Sequence, residues 1–143
     1  MLMLSCSHVS GQAINKLKQA SNGKLEALVL KAVRSVPEVQ SFFKETPAAY
    51  KPMLMFERQA DSTLKYYSVQ LGISNFDMFR TTERFCVDPK TFQVYFWDVF
   101  ADDNGFSNSA IISLAKWRYW RTKPEWKKPH TWKAGKLVAL SKQ

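Results

Sequence analysis

From Leu25 the apolar positions recur at Leu28, Val29, Ala32, Val33 and Val36. These steps of three and four follow the helical period, so the pattern predicts an amphipathic helix over 24–36 with all six residues in the core. The cluster Ser21-Asn22-Gly23 reads as its start. Ser35-Val36-Pro37-Glu38 has the form of a capping box with proline in the first turn. A second helix, or a kinked continuation of the first, therefore follows, with Val39, Phe42 and Phe43 on its apolar face and Thr46-Pro47 at its end.

The period then changes. Residues 53–59 form a short apolar-rich run, and Tyr67, Val69, Leu71 and Ile73 alternate with Tyr66, Ser68, Gln70 and Gly72, the two-residue period of a strand with one buried face. Phe85 and Val87 share a side of a third run over 79–87, and Glu83 falls on that same side. A buried Glu83 requires a partner such as Arg58 or Arg80, or a place at the end of the sheet. After the turn residues Asp88-Pro89-Lys90-Thr91, a fourth run over 92–99 carries aromatics on both faces. Two aromatic faces imply that both are covered or that one binds something. Beyond a polar loop, Ser109 is placed to cap a helix from Ala110 to about Arg121, with Ile111, Leu114 and Ala115 on one stripe and Trp117 on its edge. Pro124 and Pro129 forbid a long regular helix further on, and Leu137 to Leu140 reads as an edge strand or a frayed end. Helices followed by strands predict an α+β fold: one or two N-terminal helices packed on a roughly four-stranded antiparallel meander, then a C-terminal helix and a tail. The expected divisions are 1–12 as an export remnant, 13–121 as the domain and 122–143 as the tail.

Composition narrows the classes. Apolar residues make up 45% and charged residues 23% of the 143, which excludes a wholly disordered chain. The two cysteines, Cys6 and Cys86, exclude a disulfide scaffold and a zinc site of cysteine and histidine pairs. No apolar run approaches the eighteen residues of a spanning helix.

The net charge of +9 is unevenly placed. Residues 111–143 hold nine Lys and Arg against the single acid Glu125, and four of the five tryptophans, while the rest of the chain is nearly neutral. In this stretch, Lys116, Trp117, Arg118, Trp120, Arg121, Lys123, Trp126, Lys127, Lys128, Trp132 and Lys133 interleave cations with indoles. Such a surface neutralises phosphates or sulfates while indoles stack on bases or sugars or sit among lipid headgroups. A duller reading has Trp117 and Trp120 covering the sheet, with the cations as a solvated rim.

Candidate catalysis is thin. The histidines are His8 and His130, and a Cys86–His130 pair has no local signature, so a packed thiol and a solvated histidine are the plainer expectation. Asp98, Asp102 and Asp103 near Asn104-Gly105 suggest calcium, but the loop lacks the later glutamate of an EF-hand, and a polar turn is the better reading. No metal, cofactor or catalytic residue is expected. At the N-terminus, Met3-Leu4-Ser5-Cys6 has the form of a bacterial lipobox with Cys6 as the lipid anchor, and Val9-Ser10-Gly11 offers a second export cleavage site.

The segments YYSVQLG, FRTTERFCVDPKTFQVYFWD and SLAKWR resemble small exported proteins of the Bacteroidetes type. The matching positions are Pro37-Glu38-Val39, Thr81, Phe85, Val87-Asp88-Pro89, Tyr95, Asp98 and Trp117-Arg118. The resemblance covers roughly 24–121 and implies a cystatin-like or PepSY-like helix-on-meander layer with no catalytic residues to carry over. The inhibitory Gln-x-Val-x-Gly of cystatins is replaced by Ser68-Val69-Gln70-Leu71-Gly72. The expectation is an exported, non-catalytic binding domain at the bacterial cell envelope, periplasmic or lipid-anchored, whose basic aromatic tail meets anionic lipid, polysaccharide or a protein. The alternative is a cytoplasmic nucleic-acid binder using the same tail.

Overall fold

A computed structural model describes residues 11–75, 77–101 and 110–140, with side chains from residue 22 onward. Helix α1 (Gly11–Arg34) runs through Ser21-Asn22-Gly23 rather than starting there. A Cβ built at Gly23 meets nothing within 4 Å, so this glycine lies on an open helix surface. It costs about 1 kcal/mol of helix propensity there without breaking the helix. Val29, Val33 and Val36 are fully or almost fully buried, whereas Leu28 is 49% exposed. The expected stripe is therefore narrower than drawn: Leu28 lies outside the core, and Leu25 and Ala32 sit at its margin.

Ser35 does not form the expected capping box. Its Oγ donates to the carbonyl of Ala32, and α2 (Pro37–Glu45) is capped by Val36 in extended conformation without a side-chain bond. Pro37 supplies a preset first-turn φ. Glu38 turns instead to Arg118, 80 residues away, which donates to both carboxylate oxygens. Val39 is fully buried and Phe42 and Phe43 pack against the core edge.

Five strands form an up-and-down antiparallel sheet in sequence order: β1 (Pro52–Arg58), β2 (Tyr67–Asn75), β3 (Met78–Val87), β4 (Val94–Trp97) and β5 (Ile111–Ser113). The α+β class and the helices on an antiparallel sheet are as the patterning predicts, with one strand more. Before β2, the Asp61 carboxylate accepts from the backbone amides of Thr63 and Leu64 and from Arg58. These bonds hold its pKa down at about 2 and fix the turn that seats Leu64 in the core. At Leu71 and Gly72 the β2–β3 register shifts. A Cβ at Gly72 would run into the Arg80 carbonyl, so the bulge requires glycine.

The helix before the C-terminus also differs from expectation. Residues 111–113 pair with β4, Ile112 opposite Phe96 and Ile111 opposite Trp97. Two β-branched residues beside an open strand edge extend the sheet rather than start a helix. Helix α3 (Leu114–Trp120) is capped by Ser113, whose Oγ accepts from the Lys116 amide at 3.1 Å. The expected cap, Ser109, lies outside the described residues. Trp117, placed at the stripe edge by the sequence, is 1% exposed. It stacks on Phe96 at 4.6 Å and meets Phe85 edge-on at 5.6 Å.

Residues 122–140 are not a loose tail. A 3-10 turn (Pro124–Lys127) leads to a hairpin of β6 (His130–Lys133) and β7 (Lys136–Ala139), which forms its own two-stranded sheet. Ala134 and Gly135 at its turn both have positive φ, as a two-residue type I′ hairpin demands. Trp132 is 5% exposed and belongs to the core. Both faces of β4 are covered: Phe96 and Trp97 are each buried.

Candidate functional site

The start of this C-terminal segment leans against the end of the sheet, and a cleft of about 720 Å³ opens between them. Residues from β3 and β4 form one wall, including Glu83, Phe96 and Asp98; Trp117 and Arg121 line it from α3; Trp126, Lys127, Lys128 and His130 close the far side.

One side of the cleft is pinned by a buried polar knot. His130 Nε2 lies 2.6 Å from Asp98 Oδ2, the Trp132 indole N–H donates to the same oxygen at 3.0 Å, and His130 Nδ1 donates to the Lys128 carbonyl at 2.7 Å. A carbonyl only accepts, so Nδ1 carries the proton of that bond. Both ring nitrogens are thereby occupied. His130 is neither solvated, as the sequence suggests, nor paired with Cys86. That thiol is fully buried, and burial, with a smaller contribution from Glu57, pushes its pKa up to about 12. A protonated, enclosed thiol is a poor nucleophile. Asp98 is likewise committed to the knot rather than to calcium. Asp102 and Asp103 lie outside the described residues, and among the described residues no three His, Cys, Asp or Glu gather as metal ligands.

The basic aromatic positions divide sharply. Trp117 and Trp132 are core residues, and Trp120 is half-buried with its edge toward Trp132 at 6.3 Å. Burial keeps Trp132 away from any ligand, and Trp117, though it lines the cleft, offers it almost no surface. Arg118 is consumed by Glu38, whose carboxyl it holds below the usual range. Lys123 sits 4.7 Å over the Tyr119 ring. Lys116 reaches the hairpin turn at Gly135, and Lys133 is exposed beside that turn. Of these positions, Arg121, Trp126, Lys127 and Lys128 come together at the cleft, with the buried Trp117 beneath Arg121. Arg121 lies 4.4 Å over the Trp117 ring, Lys127 and Lys128 are exposed, and Trp126 is half-exposed. Among the described residues, none of these three cations has an ion-pair partner.

Two cleft residues have no signal in the basic segment itself. Phe100, after β4, is 89% exposed at the cleft. Glu83 lines the cleft without either of its expected partners: Arg58 pairs with Asp61, and Glu83 makes no hydrogen bond or ion pair with a described residue. Burial raises its pKa, Arg121 opposes the rise, and Glu38 adds to it. Alternation along β3 placed Glu83 on the core side, and that parity is the one sequence signal that pointed at it.

The described helices include none long and apolar enough to cross a membrane. Cys6 and the other leader positions lie outside the described residues. No family model matches the chain, and no curated protein or solved structure matches it.

Proposed function

We propose that this protein is a non-catalytic binding domain of the cell envelope that holds an anionic polymer in the cleft between the sheet end and the C-terminal segment. The observation carrying this reading is the cleft wall of Arg121, Lys127 and Lys128, none of them held in an ion pair by a described residue, beside the half-exposed Trp126. Unpaired cations at a concave surface raise the local concentration of anions, and the indole adds a contact face for a ring. The occupied nitrogens of His130 and the enclosed Cys86 support binding over acid–base or thiol chemistry. The export part of the reading rests on the lipobox-like Met3-Leu4-Ser5-Cys6. Recovery of natively expressed protein with an unmodified Met1 would overturn it.

The test of binding uses the full chain with immobilised polygalacturonate. Wild type should bind, and binding should weaken as salt screens the exposed charges. Reversing two cations, Lys127→Glu with Lys128→Glu, should weaken it roughly tenfold or more, since each exposed pair contributes up to about 1 kcal/mol. Both side chains are exposed, so the fold should be retained. Undiminished binding by the double variant would place the polymer elsewhere and overturn the assignment.

A further inference from the structure

The cations alone describe a site for any polyanion, but Glu83 does not fit such a ligand. A carboxylate facing the same cleft repels phosphate or sulfate unless something donates a hydrogen bond to it. The protein supplies no such donor among its described residues: Arg84, the next residue on β3, is turned to Glu57 at 3.3 Å, and Arg121 lies over Trp117. Burial already disfavours the ionised carboxyl in the empty protein, and what hydration it keeps comes from the open cleft. A ligand that fills the cleft expels that water, and one offering hydroxyl donors replaces the lost hydrogen bonds. The cleft therefore combines acceptors for O–H groups, cations for acidic groups and an indole for a ring face within one space of about 720 Å³.

We infer that the ligand is an acidic sugar polymer, a polyuronate in class: its carboxylates meet Lys127, Lys128 and Arg121, a sugar ring lies on Trp126, and a ring hydroxyl donates to Glu83. This inference rests on the anion-binding reading above and adds the requirement for donor groups. Linear polyphosphate has the charge but carries no hydroxyls along its chain. A single-stranded oligodeoxynucleotide has charge and stacking bases but no 2′-hydroxyl, and it tests the nucleic-acid alternative.

The experiment compares polygalacturonate, polyphosphate and a single-stranded oligodeoxynucleotide, matched in charge and ionic strength, on wild type and Glu83→Gln. It is run at one mildly alkaline pH for all three polymers. The two polymers should respond with opposite sign. Loss of a charge-assisted hydrogen bond should weaken polygalacturonate roughly tenfold, while loss of a repelling charge should strengthen polyphosphate. Thermal unfolding of Glu83→Gln verifies that it folds, and Glu83→Asp, which keeps the charge on a shorter arm, should recover the low polyphosphate affinity without restoring polygalacturonate fully. Strengthening of both polymers by Glu83→Gln would overturn the inference and leave anion binding standing. Preference of wild type for the oligodeoxynucleotide over polygalacturonate would also overturn it, in favour of nucleic acid. Binding of none of the three by wild type would remove the anion-binding reading itself.

Discussion

Asp98 and His130 meet at 2.6 Å with both side chains about 95% enclosed, and this contact clamps the C-terminal hairpin to the end of β4. Removing one member leaves the other buried without its partner, which costs on the order of 3–5 kcal/mol in such pairs. His130→Ala and Asp98→Ala should each destabilise the whole domain by about that much in urea unfolding. The double variant should be far less destabilised than the sum, because both single changes break the same contact.

Truncation before residue 122 should behave in the same way. It removes Trp132 and Trp126, which pack around the core and against Phe96, together with His130. Loss of a buried tryptophan alone costs about 3–5 kcal/mol. The expected outcome is a chain that does not unfold cooperatively, checked by calorimetry. A fully stable truncated domain would show that the hairpin is an appendage.

On α1, neighbouring residues should differ in their response. Leu28→Ala should lie within about 0.5 kcal/mol of wild type, since Leu28 is largely exposed. Val33→Ala, at a fully buried position, should cost on the order of 2 kcal/mol through the cavity it leaves. Chemical denaturation of the two variants side by side measures this.

The pH dependence at Glu83 has a defined sign. Burial raises its pKa in the folded state, so the folded protein binds more protons than the unfolded chain between the ordinary and the raised values. Stability is therefore highest below the ordinary value and falls as pH rises through the raised one. Glu83→Gln should remove this slope. The difference between the unfolding free energies of wild type and variant across the weakly acidic range isolates it from the other carboxyls.

Cys86 should resist thiol reagents in the folded protein at neutral pH, because its pKa stands at about 12 and its sulfur is enclosed. In a Cys6→Ser background, labelling with a disulfide reagent should proceed only as fast as the protein opens, and should become immediate in denaturant.

The β6–β7 turn leaves room for improvement. Ala134 holds φ 50°, a left-handed conformation that costs a Cβ-bearing residue about 1 kcal/mol or more. Asparagine tolerates it better, so Ala134→Asn should raise the melting temperature by a few degrees.

Much of the fold was legible in local patterns. Steps of three and four located α1 and α2, alternation located β2 and β3, and Asp88-Pro89-Lys90-Thr91 marked their following turn. The misplacements share a cause. The Ser35 capping box is lost as Glu38 turns to Arg118, 80 residues away, and Ile111 to Ser113 became a strand because β4 offered an open edge. A window of neighbouring residues contains none of that information.

The site was legible only as a composition. The sequence by itself determined that cations and indoles concentrate near the C-terminus, and that alternation puts Glu83 on the inward side of its strand. Tertiary structure decided which of them face outward together. It sent Trp117 and Trp132 into the core, gave Arg118 to Glu38, tied His130 to Asp98 and left Glu83 beside Arg121, Lys127 and Lys128. These assignments depend on pairings across 32 to 80 residues. Such pairings arise when elements pack, because the free energy of burying a charge or an indole is set by what surrounds it and not by its neighbours along the chain.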